Sequence, residues 1–310
     1  MTARPKIRLG VSSCLLGEKV RYDGGHKRDS YVVKTLGRFF ELIPICPEVE
    51  IGMGVPREPI QLERAGKKIR AVGVKDRELD VTEKLSRYGR KMARELEGLG
   101  GYVFKSGSPS CGLFGVNIYP GKRGTAKNGR GLYAEAFLEG QPFLPTEEEG
   151  RLGDPDLRDN FFERVFAYYR WQRASKKRFT VPRLVSFHAA HELQLLSHGE
   201  RRCWELGRLA VRGDKAAYLS KFMQALGEPA AKRGRAGALR HAMECIKGLG
   251  RDERSELAGL IQEYQRGRLP LSVPFVLLRR YLGCHPVPSL AAQTFLHPEP
   301  LEAAVRRMGC

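Results

Sequence analysis

Three cysteines in the first half of the chain stand in frames that suit a held ligand better than a packed core. SSC ends at Cys14, PICPE surrounds Cys46, and KSGSPSCG closes on Cys111. Turn-forming and hydrogen-bonding residues bracket each thiol, whereas a buried structural cysteine ordinarily fills an apolar strand or helix. Soft thiolates select zinc, copper(I) or an iron–sulfur cluster. Structural zinc gathers its ligands as C-x2-4-C pairs, and the sequence has none. A cluster ordinarily takes four cysteines, so three would leave one iron with an open position, which implies a bound substrate. The competing reading is three unrelated core thiols, and the polar frames stand against it.

Two further side chains lie where they could work on a group held there. Glu48 follows Cys46 by two residues and Ser108 precedes Cys111 by three. A carboxylate can take a proton from water, and a hydroxyl can donate or relay one. Taken alone, each reads as an ordinary cap or turn residue. Asp23 in VRYDGG reads as a turn residue on its D-G signal. His188, His191 and His198 share one helical face. HELQLLSH is not H-E-x-x-H, which disfavours a zinc hydrolase and leaves a packed or RNA-facing surface. GMG at 52–54 follows no clear strand and makes no dinucleotide fingerprint.

The elements that must position these residues alternate as βαβ units do. IRLGVSSC (7–14), LIPIC (42–46) and YVFKS (102–106) read as strands, and each runs toward one of the three cysteine loops. DSYVVKTLGRFFEL (29–42) and DVTEKLSRYGRKMARELEGL (80–99) read as amphipathic helices. In an open sheet with right-handed crossovers, the loops beyond the strand carboxyl ends converge, so three thiols distant in sequence would meet at one edge. QPFLPTEEEGRLGDPD (141–156) has the prolines and charge of a linker, 157–178 reads as a long helix, and the pattern from about 183 onward is helical. The expected architecture is an α/β domain over 1–145 with an open, mostly parallel sheet and flanking helices. A linker and basic aromatic helix follow over 146–180, then a smaller all-α domain over 181–310.

A length of 310 residues accommodates two domains, and no apolar run approaches membrane-spanning length. Seven cysteines at irregular spacing do not form a secreted disulfide framework, so a soluble, cytoplasmic chain is expected. Cys203 and Cys245 read as helix-packing residues; Cys284 and Cys310 carry no assigned role. The formal net charge is +19, which favours a polyanionic partner, nucleic acid first. Residues 1–150 carry 26 Lys+Arg against 19 Asp+Glu, a net of +7; residues 151–310 carry 28 against 16, a net of +12. YYRWQRASKKRF (168–179) interleaves aromatics with Arg170, Arg173, Lys176, Lys177 and Arg178. The cations could pair with phosphates, and Tyr169, Trp171 or Phe179 could stack on an unpaired base. Lys232, Arg233 and Arg235, with Arg240, form a second basic cluster without aromatics.

SSCLLGEKVRYDGG, PICPEVEIGMGVPREP and KSGSPSCG together resemble the three signature stretches of the thiouracil desulfidase family, in order, over roughly the first 145 residues. FHAAHELQLLSH, GRLPLSVPFVLL and SLAAQTFLHPEP resemble the helical domain of the YbgA type that follows it in many bacteria. The resemblance implies a [4Fe-4S] cluster held by Cys14, Cys46 and Cys111, with the fourth iron free to take sulfur from a thiolated pyrimidine. It places the assisting acid on Glu48 and the hydroxyl on Ser108, with Ser110 in the same motif. The fusion is similar to the branch acting on 4-thiouridine in transfer RNA, which implies tRNA as partner, no membrane, and conversion of 4-thiouridine to uridine without net redox change. One departure is His191-Glu192, where the family pattern has His-Lys. The alternatives are a desulfidase for free thiouracil and a non-catalytic iron–sulfur protein that binds RNA or senses redox state. Nothing in the sequence sets an oligomeric state.

Overall fold

The strands are, in chain order, β1 (Arg8–Ser12), β2 (Glu41–Ile45), β3 (Ile60–Ala65), β4 (Lys68–Gly73), β5 (Gly101–Phe104), β6 (Val116–Pro120), β7 (Ala126–Gly129) and β8 (Thr146–Glu148). This computed structural model describes residues 6–120, 126–176 and 179–307. The first sheet has the order β2-β1-β5-β8 and every pairing is parallel. Central strands of a parallel sheet are covered on both faces and so run apolar rather than alternating; Leu9, Val11, Tyr102, Val103 and Phe104 are accordingly buried. Gly10 is required there, because a Cβ at that position would strike the Tyr102 ring.

A second sheet, β4-β3-β6-β7, was not anticipated. It joins the β3–β4 hairpin, turning at Gly66, to the antiparallel pair β6–β7 through a parallel β3–β6 contact. The expected linker over 141–156 is also corrected. Its middle is β8, the edge strand beside β5, and Glu147 and Glu148 on it are buried.

The helices are α1 (Gly37–Phe39), α2 (Pro47–Glu50), α3 (Thr82–Glu95), α4 (Leu132–Gly140), α5 (Pro155–Ser175), α6 (Val181–Ala190), α7 (Glu192–His198), α8 (Glu200–Arg212), α9 (Lys215–Ala225), α10 (Lys232–Cys245), α11 (Arg251–Gln265), α12 (Ser272–Cys284), α13 (Pro288–Ala291) and α14 (Pro300–Arg307). The helix expected over 29–42 is a π-helical stretch, Tyr31–Leu36, continued by α1. The single helix expected over 182–198 breaks at His191 into α6 and α7.

The chain divides into two compact units between Phe161 and Phe162. The first is the α/β unit with the parallel sheet. The second is helical, with a core that includes Leu193, Leu239, Ile246, Leu257, Ile261 and Leu278. None of the described helices is long and apolar enough to cross a membrane.

Candidate active site

β1, β5 and β2 deliver the three cysteines to one end of the parallel sheet. Cys14 lies in a 3-10 turn, Ser13–Leu16, directly after β1. Its carbonyl accepts the N–H groups of Gly17 (3.3 Å) and Lys27 (2.9 Å), which folds the following loop back over the turn. Cys46 follows β2 and precedes α2, where Pro47 occupies the first helical position, a place that needs no backbone donor. Cys111 ends the loop after β5. Gly107 there has φ +67°, a conformation open to glycine without strain.

The Ser108 hydroxyl shapes the Cys111 turn by accepting the N–H groups of Ser110 (3.2 Å) and Cys111 (3.1 Å). The Ser110 carbonyl accepts from Ala134 N–H (3.1 Å) and the Pro109 carbonyl from Leu132 N–H (3.1 Å), so the start of α4 fastens the loop. Gly131 permits that approach, since a Cβ would strike the Ser110 carbonyl. From the other side, Glu148 of β8 accepts the N–H groups of Leu113 (2.7 Å) and Phe114 (3.2 Å).

Cys14, Cys46 and Cys111 line a cavity of about 190 Å³ together with Glu48, Arg57 and Lys105. Burial pushes the Cys14 thiol up to about 11, the neighbouring Cys46 adds to the rise, and Lys105 and Arg21 oppose it. Burial also raises Cys46. Cys111 is raised well above its ordinary value by burial, then by Glu48 and Cys46. Three buried thiolates would therefore repel one another, and a bound cationic core would offset that repulsion. Among the described residues, no group of three His, Cys, Asp or Glu side chains closes to the span of one metal ion. A tetrahedral zinc needs its sulfurs about 2.3 Å from one centre. Soft donors that line one cavity without closing on a single point fit a polynuclear iron–sulfur core instead.

Glu48 is held from both sides. Ser110 Oγ donates to Glu48 Oε1 (2.8 Å), while Arg57 donates to Glu48 Oε2 through Nε (2.8 Å) and Nη2 (2.6 Å). The Arg57 side chain is 4 % exposed, and its guanidinium is itself fixed by the carbonyls of Val20 and Gly54 (2.8 Å each). The hydroxyl that touches the carboxylate is on Ser110, the second serine of the motif. Ser108 lines the cavity but uses its oxygen on the turn.

Sequence reasoning missed Arg57, although it lies within the second signature stretch. It also missed Lys105, whose Nζ bonds Glu149, the Ser106 hydroxyl (2.8 Å) and the Ser106 carbonyl (3.0 Å). Asp23 is a turn residue, accepting Gly25 N–H at 3.0 Å.

The expected RNA-binding residues are not brought together as one surface. Arg170 is 11 % exposed, pairs with Glu302 at 2.7 Å and donates to His191 Nε2 at 3.0 Å, so it is an internal tie rather than a phosphate contact. Trp171 and Phe179 are buried, with Trp171 packed against Phe179, Phe187 and Tyr218; neither can stack on a base. Arg173 is exposed, pairs with Glu299 and lies over the Tyr169 ring. Lys176 is exposed, while Lys177 and Arg178 lie outside the described residues. Lys232 and Arg233 are exposed and Arg235 is half-buried in the first turn of α10. The histidines pack inward, His188 against the Tyr218 hydroxyl (3.2 Å) and His198 against Glu163 (3.2 Å).

Residues 9–149 match the 2-thiouracil desulfurase family, and residues 192–300 match a family described as a protein of unknown function, DUF1722. The Escherichia coli K12 protein called uncharacterized protein YbgA is 24 % identical over 160 residues, spanning 49 % of this chain and 95 % of its own length. A solved structure titled [4Fe-4S]-dependent thiouracil desulfidase TudS is 35 % identical, covers 50 % of this chain and 96 % of its own, and superimposes with a TM-score of 0.39.

Proposed function

Because the chain belongs to the 2-thiouracil desulfurase family and carries a YbgA-like helical region after that domain, we propose that it is a [4Fe-4S]-dependent desulfidase that converts 4-thiouridine in tRNA to uridine. The observation that carries this reading is the convergence of three cysteine-bearing loops on one cavity that also contains Glu48. Cys14, Cys46 and Cys111 would hold the cluster. When bound, it would supply soft Lewis-acid chemistry toward the sulfur of a thiocarbonyl.

The remaining work falls to side chains. Glu48 takes a proton from the water that adds to C4 of the pyrimidine. Arg57 keeps that carboxylate aimed, and Ser110 supplies a proton route on its Oε1 side. Water's oxygen replaces sulfur on the ring carbon, sulfur leaves as hydrosulfide, and no electrons are gained or lost. Taking a base out of its RNA stack requires a grip on the surrounding strand, which the net charge of +12 over residues 151–310 favours.

The match of residues 9–149 to the 2-thiouracil desulfurase family favours a second reading, a desulfidase for free thiouracil. Anaerobic protein incubated separately with thiolated tRNA and with free 2-thiouracil distinguishes the two. Loss of 4-thiouridine, with stoichiometric uridine and hydrosulfide, is the expected result. Turnover of the free base alone would leave the second reading.

A further inference from the structure

With Trp171 in the core, the aromatic needed for an RNA grip must come from elsewhere in the second unit. α8 carries it. Cys203, Leu206 and Ala210 face inward, and the opposite face presents Arg201, Trp204, Arg208 and Val211, spaced by three, four and three residues along one stripe. Trp204 is 68 % exposed and Val211 69 % exposed, unusual burdens for a solvated helix. α6 extends the apolar strip. His188 lies against Gly207 and Val181 against Gly213, so the two helices run side by side in opposite directions, and Val181 and Val185 are exposed as well.

The charge around the tryptophan is cationic. Arg201 and Lys221 share the single carboxylate of Glu205, at 3.0 and 3.7 Å. Arg208 also acts on Glu205 from beyond ion-pair distance, and among the described residues no carboxylate lies within that distance of Arg212 one turn on, so one carboxylate faces several cations and a net positive charge is left for another molecule. A flat, exposed indole with Arg208 and Arg212 on the following turns of its face matches single-stranded RNA, whose bases stack on aromatic faces and whose phosphates pair with arginine. A protein partner would also use tryptophan and arginine, but the excess of positive charge favours the polyanion.

We infer that the outer face of α8, centred on Trp204 with Arg208 and Arg212, is the surface on which this protein docks an unpaired segment of its RNA substrate. This rests on the RNA reading given above, and it replaces the 168–179 segment as the source of the stacking aromatic.

The test uses the full-length protein with an unmodified tRNA transcript and a single-stranded oligouridylate as probes, at several salt concentrations. Trp204→Ala is expected to lose about tenfold or more in affinity for both. Trp204→Phe, which keeps a stacking face, should stay within about threefold of the parent. Arg208→Ala/Arg212→Ala should lower the slope of log affinity against log salt by about two. The chain has two tryptophans, and only Trp204 is exposed, so RNA should shield the emission of the parent from acrylamide and leave that of Trp204→Ala unchanged. An unchanged circular dichroism spectrum and melting profile shows that each variant is folded.

If the parent binds tRNA and Trp204→Ala binds it equally well, this inference is overturned while the RNA reading stands. If the parent binds neither probe, both fall. A loss of self-association in Trp204→Ala at unchanged RNA affinity would assign the face to a second copy of the chain and overturn the inference.

Discussion

Ser108 and Ser110 sit two residues apart in one loop and do different work. Ser108 Oγ accepts two backbone N–H groups and so sets the position of Cys111, whereas Ser110 Oγ donates to the Glu48 carboxylate. Ser108→Ala should therefore lower iron and acid-labile sulfide per chain, because the third thiol loses its frame. Ser110→Ala should keep the metal and lower kcat about ten- to a hundredfold, the usual effect of weakening one proton-handling group. Metal analysis beside turnover of free 2-thiouracil reads both, and the opposite pattern would exchange the two roles. Arg57 gives a second prediction at this scale. Its guanidinium reaches Glu48 Oε2 through two nitrogens while Val20 and Gly54 anchor it. A hydrogen bond to a charged group contributes about 1.5–3 kcal/mol, so Arg57→Ala should cut kcat by at least about tenfold with the cluster retained. Lysine cannot reproduce the planar fork, and Arg57→Lys should recover only part of the loss. Equal activity in Arg57→Lys and the parent would show that charge alone, without the fork, positions the carboxylate.

Elements explain why some of this was legible in the sequence and some was not. Cys14, Cys46 and Cys111 could be placed because each follows a short apolar run and is then surrounded by turn-formers, a purely local pattern. The β3–β4 hairpin is equally local, with Ile60 and Leu62 buried in alternation and Gly66 at the turn. β8 is different. Thr146–Glu148 has the composition of a linker, and its burial makes sense only once Glu148 is seen to accept two N–H groups from the loop beyond Cys111. The two tryptophans make the same point: both have arginine neighbours, yet one is core and one is surface, because tertiary partners decide burial. The α6–α7 junction shows what such partners do to a titrating group. Arg170 donates to His191 Nε2, so the proton of the neutral ring is on Nδ1, which donates to the Phe187 carbonyl at 2.7 Å. Burial first, then Arg170, holds His191 well below its usual range. Above the ordinary histidine value of about 6.5, folded and unfolded forms are both neutral and the residue adds no pH dependence. Below it, only the unfolded chain takes up the proton, so stability falls as the solution becomes more acid. Burial gives His188 the same sign. Melting of the second unit should move to lower temperature between pH 7.5 and 5.5, and His191→Asn should flatten that dependence; a parallel shift in the variant would assign the effect to other groups.

At the scale of the whole molecule, chemistry and charge fall in different parts of the chain. Every residue lining the cysteine cavity lies in the first unit, while the larger excess of positive charge belongs to residues 151–310. A free thiouracil is a small base that releases no condensed counterions on binding, so its reaction should be nearly indifferent to salt. tRNA brings its counterion atmosphere with it, and each phosphate neutralised by the protein adds about 0.9 to the salt slope for a duplex and about 0.7 for a single strand. Raising salt from about 50 to 200 mM should then lower kcat/KM for thiolated tRNA by at least about tenfold, while the value for free 2-thiouracil stays within about twofold. Both substrates are to be followed on one anaerobic preparation, so that loss of cluster affects the two rates alike and cancels in their ratio. A steep ratio would tie the basic half of the chain to catalysis on RNA. A flat ratio would mean that its charge contributes nothing to the rate, and that the first unit alone accounts for the activity.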